Sequence, residues 1–217
     1  MLLAIEGIDG SGKNTLARNL QRLLSPRRAG IVSSPGYDRT QAGRLIGLHL
    51  SGALSFGQDN PIALAMLFAL DRQEGQPDLH RRIQAGEIII ADRYVASNAA
   101  YQAARATIPA AVRDWVLDAE YQRLSCLVPD LNVFLDMPVP MARDTIRAKG
   151  ARDYIGSGPD RYEADHALLE RVRQQYLALS TSAQFGPWLK IDVASDGALR
   201  TPEAIAEEVA GHVRRLF

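Results

Sequence analysis

The sequence has a single cysteine, no net charge and no long apolar run. One cysteine excludes an internal disulfide and is typical of a reducing compartment, and we expect Cys126 to be a buried apolar residue rather than a reactive one. The 25 basic and 25 acidic side chains cancel, so no overall field attracts nucleic acid polymers or anionic membranes, and neither partner is expected. The most apolar stretch, from Pro61 to Leu70, is too short to span a bilayer.

The start of the chain lacks the pattern of a secretion signal, because no basic segment precedes the first apolar run. This pattern and the cysteine usage predict a cytoplasmic protein. The chain has 217 residues, 47% of them hydrophobic, which is enough for one complete core. We therefore expect a single domain over residues 1–217.

A glycine-rich segment, residues 7–15, follows the apolar run 2–5 and precedes an amphipathic helical pattern. Gly7, Gly12 and Lys13 match the G-x-x-x-x-G-K spacing of a P-loop, whose backbone N–H groups and helix N-terminus bind a polyphosphate. A chance glycine turn is the alternative. The pattern has Ser or Thr after the lysine as a Mg²⁺ ligand, whereas this chain has Asn14 and then Thr15, so which of them contacts the metal stays open. The expected ATP-binding residues of this loop are Gly7, Gly10, Ser11, Gly12, Lys13, Asn14 and Thr15.

Four further apolar runs have the composition of buried strands, at residues 30–33, 87–91, 131–135 and 188–193. They alternate with helical patterns, which is typical of a parallel sheet covered on both faces. The predicted class is α/β, a P-loop NTPase-like three-layer fold with a mostly five-stranded parallel sheet and a short basic lid. Ligands of such sheets bind beyond the carboxyl ends of the strands.

The predicted lid is a basic, glycine-containing segment at about residues 138–162, a composition that resembles a closing segment. Within it Arg143 and Arg147 lie four positions apart, so one helix face presents both guanidinium groups. A solvated charged helix and loop would give the same pattern. The neighbouring P-loop favours the lid, since arginines stabilise the charge of a transferring phosphoryl group.

The run from Asn60 to Leu70 predicts a helix with Asn60 as its N-cap and Pro61 at its first position. The run is apolar nearly all round. Such a helix must be covered on more than one side, either by a second subunit or by the core of its own chain.

With these residues in view, the chain resembles the bacterial thymidylate kinases over roughly four-fifths of its length, which is more specific than a P-loop alone. The matching motifs are Ile5–Lys13, Phe68–Arg72, Asp92–Tyr94 with Ser97, Ala100, Tyr101 and Gln102, Pro129–Asp130, Leu135–Asp136, Asp160–Glu163, and Val172, Arg173 and Tyr176. The resemblance implies transfer of the γ-phosphoryl group of ATP to dTMP, with Mg²⁺, in a homodimer.

The resemblance also implies roles on the phosphate side. Lys13 would hold the ATP phosphates, and Asp9 would lie toward the acceptor and help to place the metal or the deoxyribose. Arg93 would clamp the acceptor phosphate, because its planar fork matches phosphate oxygens. Asp92 would support Mg²⁺ or orient Arg93, and a structural Asp–Arg ion pair is the alternative.

On the nucleoside side, the resemblance implies that Phe68 stacks on thymine and Arg72 donates to its exocyclic oxygen. Asn98 or Ser97 would read the ring edge, and Tyr101 would crowd a ribose 2′-hydroxyl. The remaining expected substrate contacts are Tyr37, Arg39, Tyr162 and Glu163. Glu163 is also a candidate metal ligand, with a solvated helix-end carboxylate as the alternative.

Some relatives in this family have a catalytic arginine in the P-loop, and others have it in the lid. Gly10, Ser11 and Asn14 leave no arginine in this loop. The lid must then supply the arginine, and we expect Arg147 and Arg152 in this role, with Arg143 at the ATP.

Two alternatives to a dTMP kinase remain at this point. One is a kinase for another nucleoside monophosphate or for a deoxynucleoside. The other is a nucleotide-gated regulatory protein that binds ATP and hydrolyses it slowly. The second needs a glutamine that orients water beside a switch loop, and the sequence has no clear one.

Overall fold

The computed structural model describes residues 1–54, 60–149, 166–182 and 184–216. The predicted Arg152, Tyr162 and Glu163, and most of the glycine-containing part of the predicted lid, lie outside these ranges. The strands are β1 (Leu2–Glu6), β2 (Ala29–Ser33), β3 (Ile88–Asp92), β4 (Leu131–Asp136), β5 (Trp188–Asp192), β6 (Ala194–Ser195) and β7 (Ala198–Leu199). The helices are α1 (Lys13–Leu23), α2 (Gln41–Leu50), α3 (Pro61–Gln84), α4 (Val95–Arg105), α5 (Pro109–Leu117), α6 (Val139–Lys149), α7 (His166–Ser182) and α8 (Pro202–Arg214), with a π-helical segment at Asp118–Arg123.

A five-stranded parallel sheet forms the centre of the molecule, in the order β2-β3-β1-β4-β5. Its middle strands are buried on both faces, because the helices between successive strands cover both sides. The predicted α/β class and parallel sheet are confirmed. In the described ranges, no helix combines the length and the apolarity that crossing a membrane requires.

The register of the sheet brings the polar strand ends together at one edge. Ile5 pairs with Asp92, which in turn pairs with Ser33, and Glu6 pairs with Phe134. The P-loop, the residues after β2 and the residues after β3 therefore leave the sheet side by side. This edge is where ligands of parallel sheets bind.

Helix α3 begins as predicted and continues past Leu70 to Gln84. The Asn60 side chain accepts from Ile62 N at 3.0 Å and Ala63 N at 3.2 Å, which caps the first turn. Beyond Leu70 the apolar pattern stops, yet the helix goes on because its buried polar side chains, including Arg72 and Gln76, have partners inside the protein.

The chain after β5 forms an element that the sequence analysis did not predict. Strands β6 and β7 make a small antiparallel hairpin, whose turn residues Asp196 and Gly197 both have positive φ, 51° and 77°. Helix α8 then begins after Thr201, which accepts from Ala204 N at 3.2 Å, and packs against α1.

Candidate active site

The P-loop packs directly against the first turns of α6. Gly10 has φ +82°, and a Cβ atom at this position would lie 2.3 Å from the carbonyl oxygen of Ala142. Only glycine fits both the backbone conformation and the contact. The loop and the helix that carries Arg143 and Arg147 are therefore one packed unit.

The lysine of the P-loop is buried and bound to the loop itself. Its Nζ donates to the carbonyl oxygens of Gly7 at 3.0 Å and Ile8 at 2.7 Å. Burial, and after it the nearby guanidinium of Arg93, lowers the pKa of Lys13 to about 7. An ammonium group held this way gains a strong partner when a polyphosphate arrives.

Arg93 and Asp9 form an ion pair at the start of the acceptor side. Arg93 Nη2 donates to Asp9, its Nη1 lies 3.3 Å from the carbonyl oxygen of Gly7, and the guanidinium lies over the Tyr101 ring at 5.2 Å. Burial works against the charge, but the Asp9 carboxylate holds the pKa of Arg93 well above its ordinary value. The Tyr101 hydroxyl donates to Asp9 Oδ2 at 2.5 Å. The structure thus brings these three predicted residues together.

Glu6, at the end of β1, lies fully buried behind this ion pair. It accepts from Tyr94 N at 2.9 Å, from Ser97 Oγ at 2.5 Å and from Tyr176 OH at 3.2 Å. Burial raises the pKa of the Glu6 carboxyl, against the hydrogen bond from Ser97, which lowers it. Ser97 Oγ also accepts from Arg93 Nη1 at 3.3 Å, so Ser97 links the buried Glu6 carboxyl to the Arg93 guanidinium.

A second buried cluster joins α3, α4 and the π-helical segment. Arg72 forms a two-pronged ion pair with Glu120, with Nε to Oε2 at 2.5 Å and Nη2 to Oε1 at 3.1 Å, and its Nη1 donates to Ser34 Oγ at 3.0 Å. Asn98 Nδ2 donates to Glu120 Oε1 at 2.7 Å and to the carbonyl oxygen of Ala65 at 2.9 Å. Asn98 Oδ1 is buried and has no hydrogen-bond partner among the described residues.

Asn14 lies where the P-loop pattern has a hydroxyl residue, and its Nδ2 is 3.5 Å from Asp92 Oδ2. The side chains near this point carry oxygen atoms, and oxygen is the ligand atom that Mg²⁺ prefers. Mg²⁺ is commonly held by one or two carboxylates together with substrate phosphates. The described residues contain no group of three or more His, Cys, Asp or Glu side chains arranged to hold a metal. The donor set therefore fits a metal held mainly by the nucleotide, with Asp92 and Asn14 beside it.

A cleft of about 160 Å³ opens beside the P-loop, on the side away from Arg93. Its walls include Ser11, Thr15, Thr145 of α6, and Leu199 and Arg200 at the end of the hairpin. Arg200 is fixed by Nη1 donating to the carbonyl oxygen of Asp192 at 3.0 Å and by an ion pair with Glu208. The cleft is lined mostly by apolar groups and suits a flat aromatic ring next to the triphosphate loop.

The other predicted residues have less distinctive surroundings. Tyr37 is half-buried against Gly47 of α2, and exposed Arg39 donates to the carbonyl oxygen of Ser33. Phe68 is half-buried one turn before Arg72. In the lid helix Arg147 is exposed and Arg143 is half-buried.

The sequence analysis missed Glu6, Glu120, Thr145 and Arg200. A signal existed for Glu6, since a carboxylate directly between a buried strand and a P-loop glycine has little access to water. Glu120 had no comparable signal, because its partner Arg72 lies 48 positions away. The Asp196-Gly197 pair is a hairpin turn signal that would have pointed to the wall formed by Leu199 and Arg200.

Comparisons with known proteins show which family the chain resembles. The family model described as thymidylate kinase matches residues 5–197. The thymidylate kinase of Mycobacterium tuberculosis (strain ATCC 25618 / H37Rv) is 34% identical over 200 residues, covering 90% of this chain and 93% of that protein. A probable thymidylate kinase of Pyrobaculum aerophilum is 34% identical over 215 residues, covering 99% of this chain and 96% of that protein.

A solved structure of thymidylate kinase from Candida albicans matches the fold with a TM-score of 0.77 at 24% sequence identity. The match covers 99% of this chain and 91% of that chain. At this identity the likeness establishes the architecture alone.

Proposed function

The chain belongs to the thymidylate kinase family, and we propose how its own residues carry out the reaction of that family. The chain is an enzyme that transfers a phosphoryl group from ATP to dTMP, giving dTDP and ADP. The observation that carries the residue assignments is the placement of a phosphate loop and a buried polar cluster, Arg72, Asn98 and Glu120, at the same edge of the sheet. Phosphoryl transfer needs this kind of arrangement, since positioning and charge stabilisation supply most of the catalysis.

On the donor side, Lys13 and the backbone N–H groups of the loop bind the β- and γ-phosphates. The lysine exchanges its bonds to the Gly7 and Ile8 carbonyl oxygens for phosphate oxygens. The adenine ring occupies the cleft between Thr145 and the β6–β7 hairpin, beside Thr15. Arg143 follows Ala142, which packs on Gly10 of the P-loop, and it is our candidate for a contact with ATP.

On the acceptor side, Arg93 binds the phosphate of dTMP. Its guanidinium lies between the P-loop carbonyl of Gly7 and Asp9, so a bound phosphate is presented to the γ-phosphoryl group. Asp9 and Tyr101 form the floor of the sugar site. The Tyr101 ring is fixed by the Arg93 guanidinium against its face and by its hydrogen bond to Asp9, and in this position it would crowd a ribose 2′-hydroxyl.

The thymine ring is read by Arg72 and Asn98, with Phe68 stacked on its face. Asn98 Oδ1 accepts the N3–H group of thymine, because this oxygen is the unpaired buried atom of the cluster. Arg72 donates to O4 with an N–H that is not used by Glu120 or Ser34. Cytosine has an acceptor at N3 and a donor at C4, so the same two groups reject it.

Mg²⁺, when bound, neutralises charge on the transferring phosphates. The nucleotide phosphates would hold most of the metal's coordination sites. Within the described part of the chain, the groups that would complete them are Asp92 and the side-chain oxygen of Asn14 or Thr15. The lid supplies the arginine that stabilises the transition state, with Arg147 the described candidate, and Arg152 and Glu163 remain candidates in the part of the chain that is not described.

A homodimer forms through an exposed apolar surface on α2 and α3. Leu45 and Leu48 of α2 and Met66 and Leu70 of α3 are 36 to 47% exposed, and large apolar side chains on neighbouring helices are typical of a covered interface. Sedimentation at a mass of one chain would contradict this assembly. The cytoplasmic location expected from the sequence stays a prediction.

The acceptor specificity of the purified enzyme tests these assignments. With ATP and Mg²⁺, the value of kcat/KM for dTMP should exceed that for dCMP, dAMP and dGMP by roughly 10³-fold or more, because the wrong base leaves buried polar groups unpaired. Comparable values for all four would remove the base-reading roles of Arg72 and Asn98. Slow hydrolysis of ATP without any phosphorylated acceptor would instead favour the regulatory alternative.

A further inference from the structure

We propose that Glu120 is the positioning residue that sets the base specificity of the enzyme. It determines that the oxygen of the Asn98 amide, rather than its NH₂ group, is turned to the base, and it determines which N–H groups of Arg72 are left for the base. The inference rests on the proposed thymine site. Glu120 itself does not contact the base. It lies behind the two readers, on the short π-helical segment Asp118–Arg123.

Two acceptors determine the orientation of the Asn98 amide. An ionised carboxylate and a backbone carbonyl can only accept hydrogen bonds. Asn98 lies between one of each, Glu120 Oε1 at 2.7 Å and the carbonyl oxygen of Ala65 at 2.9 Å, so its NH₂ group must face both. The amide oxygen is thereby turned the other way, buried and unpaired, as an acceptor that selects a base with an N–H group.

The Arg72 guanidinium is also held in one orientation by its neighbours. The Glu120 carboxylate takes Nε and Nη2 in a two-pronged ion pair, while Ser34 takes one N–H of Nη1. Both side chains of the ion pair are almost fully buried, at 4% exposed for Arg72 and 0% for Glu120. The guanidinium therefore cannot rotate, and the N–H groups left over point in one fixed direction.

Glu120 itself is held in place by the π-helical turn and its contacts. A π-helical turn is uncommon and frequently marks a functional position in a helix. The turn is tied at its end by Cys126 N, which donates to the Glu120 carbonyl oxygen at 2.9 Å, and at its side by the stacking of Tyr121 on Phe185 at 4.6 Å. Gln76 of α3 accepts from Leu127 N at 3.0 Å, which fixes the following residues to the helix that carries Arg72. The carboxylate is thus held by backbone geometry on both sides.

The variant Glu120→Gln tests the proposal. A glutamine side chain places one NH₂ group against either Arg72 or the Asn98 NH₂ group. In the first case Arg72 loses one prong of its ion pair, and in the second a donor faces the Asn98 NH₂ group, so one of the two base-reading side chains loses its fixed orientation. We expect the ratio of kcat/KM for dTMP to that for dCMP to fall by about tenfold or more. The ratio for dTMP against dUMP should stay unchanged, because both bases carry the same N3–H and O4 groups.

A matched control is Glu87→Gln. Glu87 is also buried and forms the same two-pronged ion pair, with Arg82 at 2.9 Å on both prongs, but it lies at the opposite end of β3 from the site. This variant loses a comparable ion pair and should keep the dTMP to dCMP ratio. A ratio measured within one preparation does not depend on the fraction of protein that is folded.

The outcomes separate this proposal from the function on which it rests. A wild-type enzyme without preference for dTMP over dCMP would overturn the proposed base site itself. A wild-type preference that Glu120→Gln keeps in full would overturn the role of Glu120 alone. If Glu120→Gln does not fold, Glu120→Asp retains an acceptor-only carboxylate: a raised KM for dTMP with the ratio kept supports the proposal, and a lost ratio contradicts it.

Discussion

Individual charged residues at this site have hydrogen-bond or ion-pair partners within the protein itself. Lys13 is bound to loop carbonyls, Arg93 to Asp9, and Arg72 to Glu120. Each ligand group must therefore replace or join an internal partner. The side chains are held in place beforehand, and less reorganisation is needed when the substrates bind.

The pKa of Lys13 gives a prediction at this scale. Burial lowers it from 10.5 to about 7, so between these pH values the folded protein binds fewer protons than the unfolded chain, and the free energy of unfolding rises with pH. A bound triphosphate favours the charged ammonium and raises this pKa again. At about pH 8.5, ATP binding should take up close to one proton, measured by calorimetry in buffers of different ionisation enthalpy.

The variant Lys13→Met is the control for this measurement. It has no titrating group at the loop, so its ATP binding, although weaker, should take up no proton at the same pH. Equal uptake by the variant and the wild-type enzyme would show that another group titrates.

Single residues also show what sequence reasoning can reach. Asp9, Arg93 and Tyr101 were expected at one site from the family resemblance, and the structure joins them by hydrogen bonds. Glu120 was not, since no local pattern reports that its carboxylate meets an arginine on another helix. Contacts between segments that are distant in the chain depend on how the helices pack, and a single sequence carries no local pattern for them.

At the scale of elements, the lid helix α6 is fixed to the phosphate loop rather than separate from it. The carbonyl oxygen of Ala142 fills the space that a side chain at Gly10 would need. Arg143 is half-buried near this contact, and Arg147 is one turn further along and exposed. The two arginines share a helix as predicted, but they have different surroundings and therefore different expected roles.

The variants Arg147→Ala and Arg143→Ala separate these roles. Because Arg147 is proposed to contact the transferring phosphoryl group only in the transition state, Arg147→Ala should lower kcat by about 10²-fold or more with little change in either KM. Arg143→Ala should mainly raise the KM for ATP. Steady-state kinetics with each substrate varied gives both values, and an unchanged kcat for Arg147→Ala would assign the catalytic charge to another residue.

Elements were predictable where one periodicity persists. The five strands of the sheet lie within about a residue of the predicted runs, because buried parallel strands are continuous apolar segments. The extension of α3 beyond Leu70 was not predictable from apolar spacing, since its second half buries polar side chains. The hairpin β6–β7 is too short for strand periodicity and was visible only through its Asp196-Gly197 turn.

On the scale of the whole molecule, the two proposed substrate sites lie on either side of the P-loop at one edge of the sheet. The P-loop lies at the centre, with the hairpin and α6 on the donor side and α3, α4 and the π-helical segment on the acceptor side. The apolar surface of α2 and α3 adjoins the acceptor side, since α3 also carries Arg72. A dimer through this surface would therefore support the helix that reads the base.

The central claim is that the buried oxygen of Asn98 selects dTMP by accepting the N3–H group of thymine. The most direct measurement compares kcat/KM for dTMP with that for its N3-methyl derivative, which keeps the phosphate, the sugar, O4 and the 5-methyl group. We expect the methylated acceptor to be poorer by about 10²-fold or more, because it loses the hydrogen bond and places a methyl group against a buried oxygen. Equal use of the two acceptors would contradict the account.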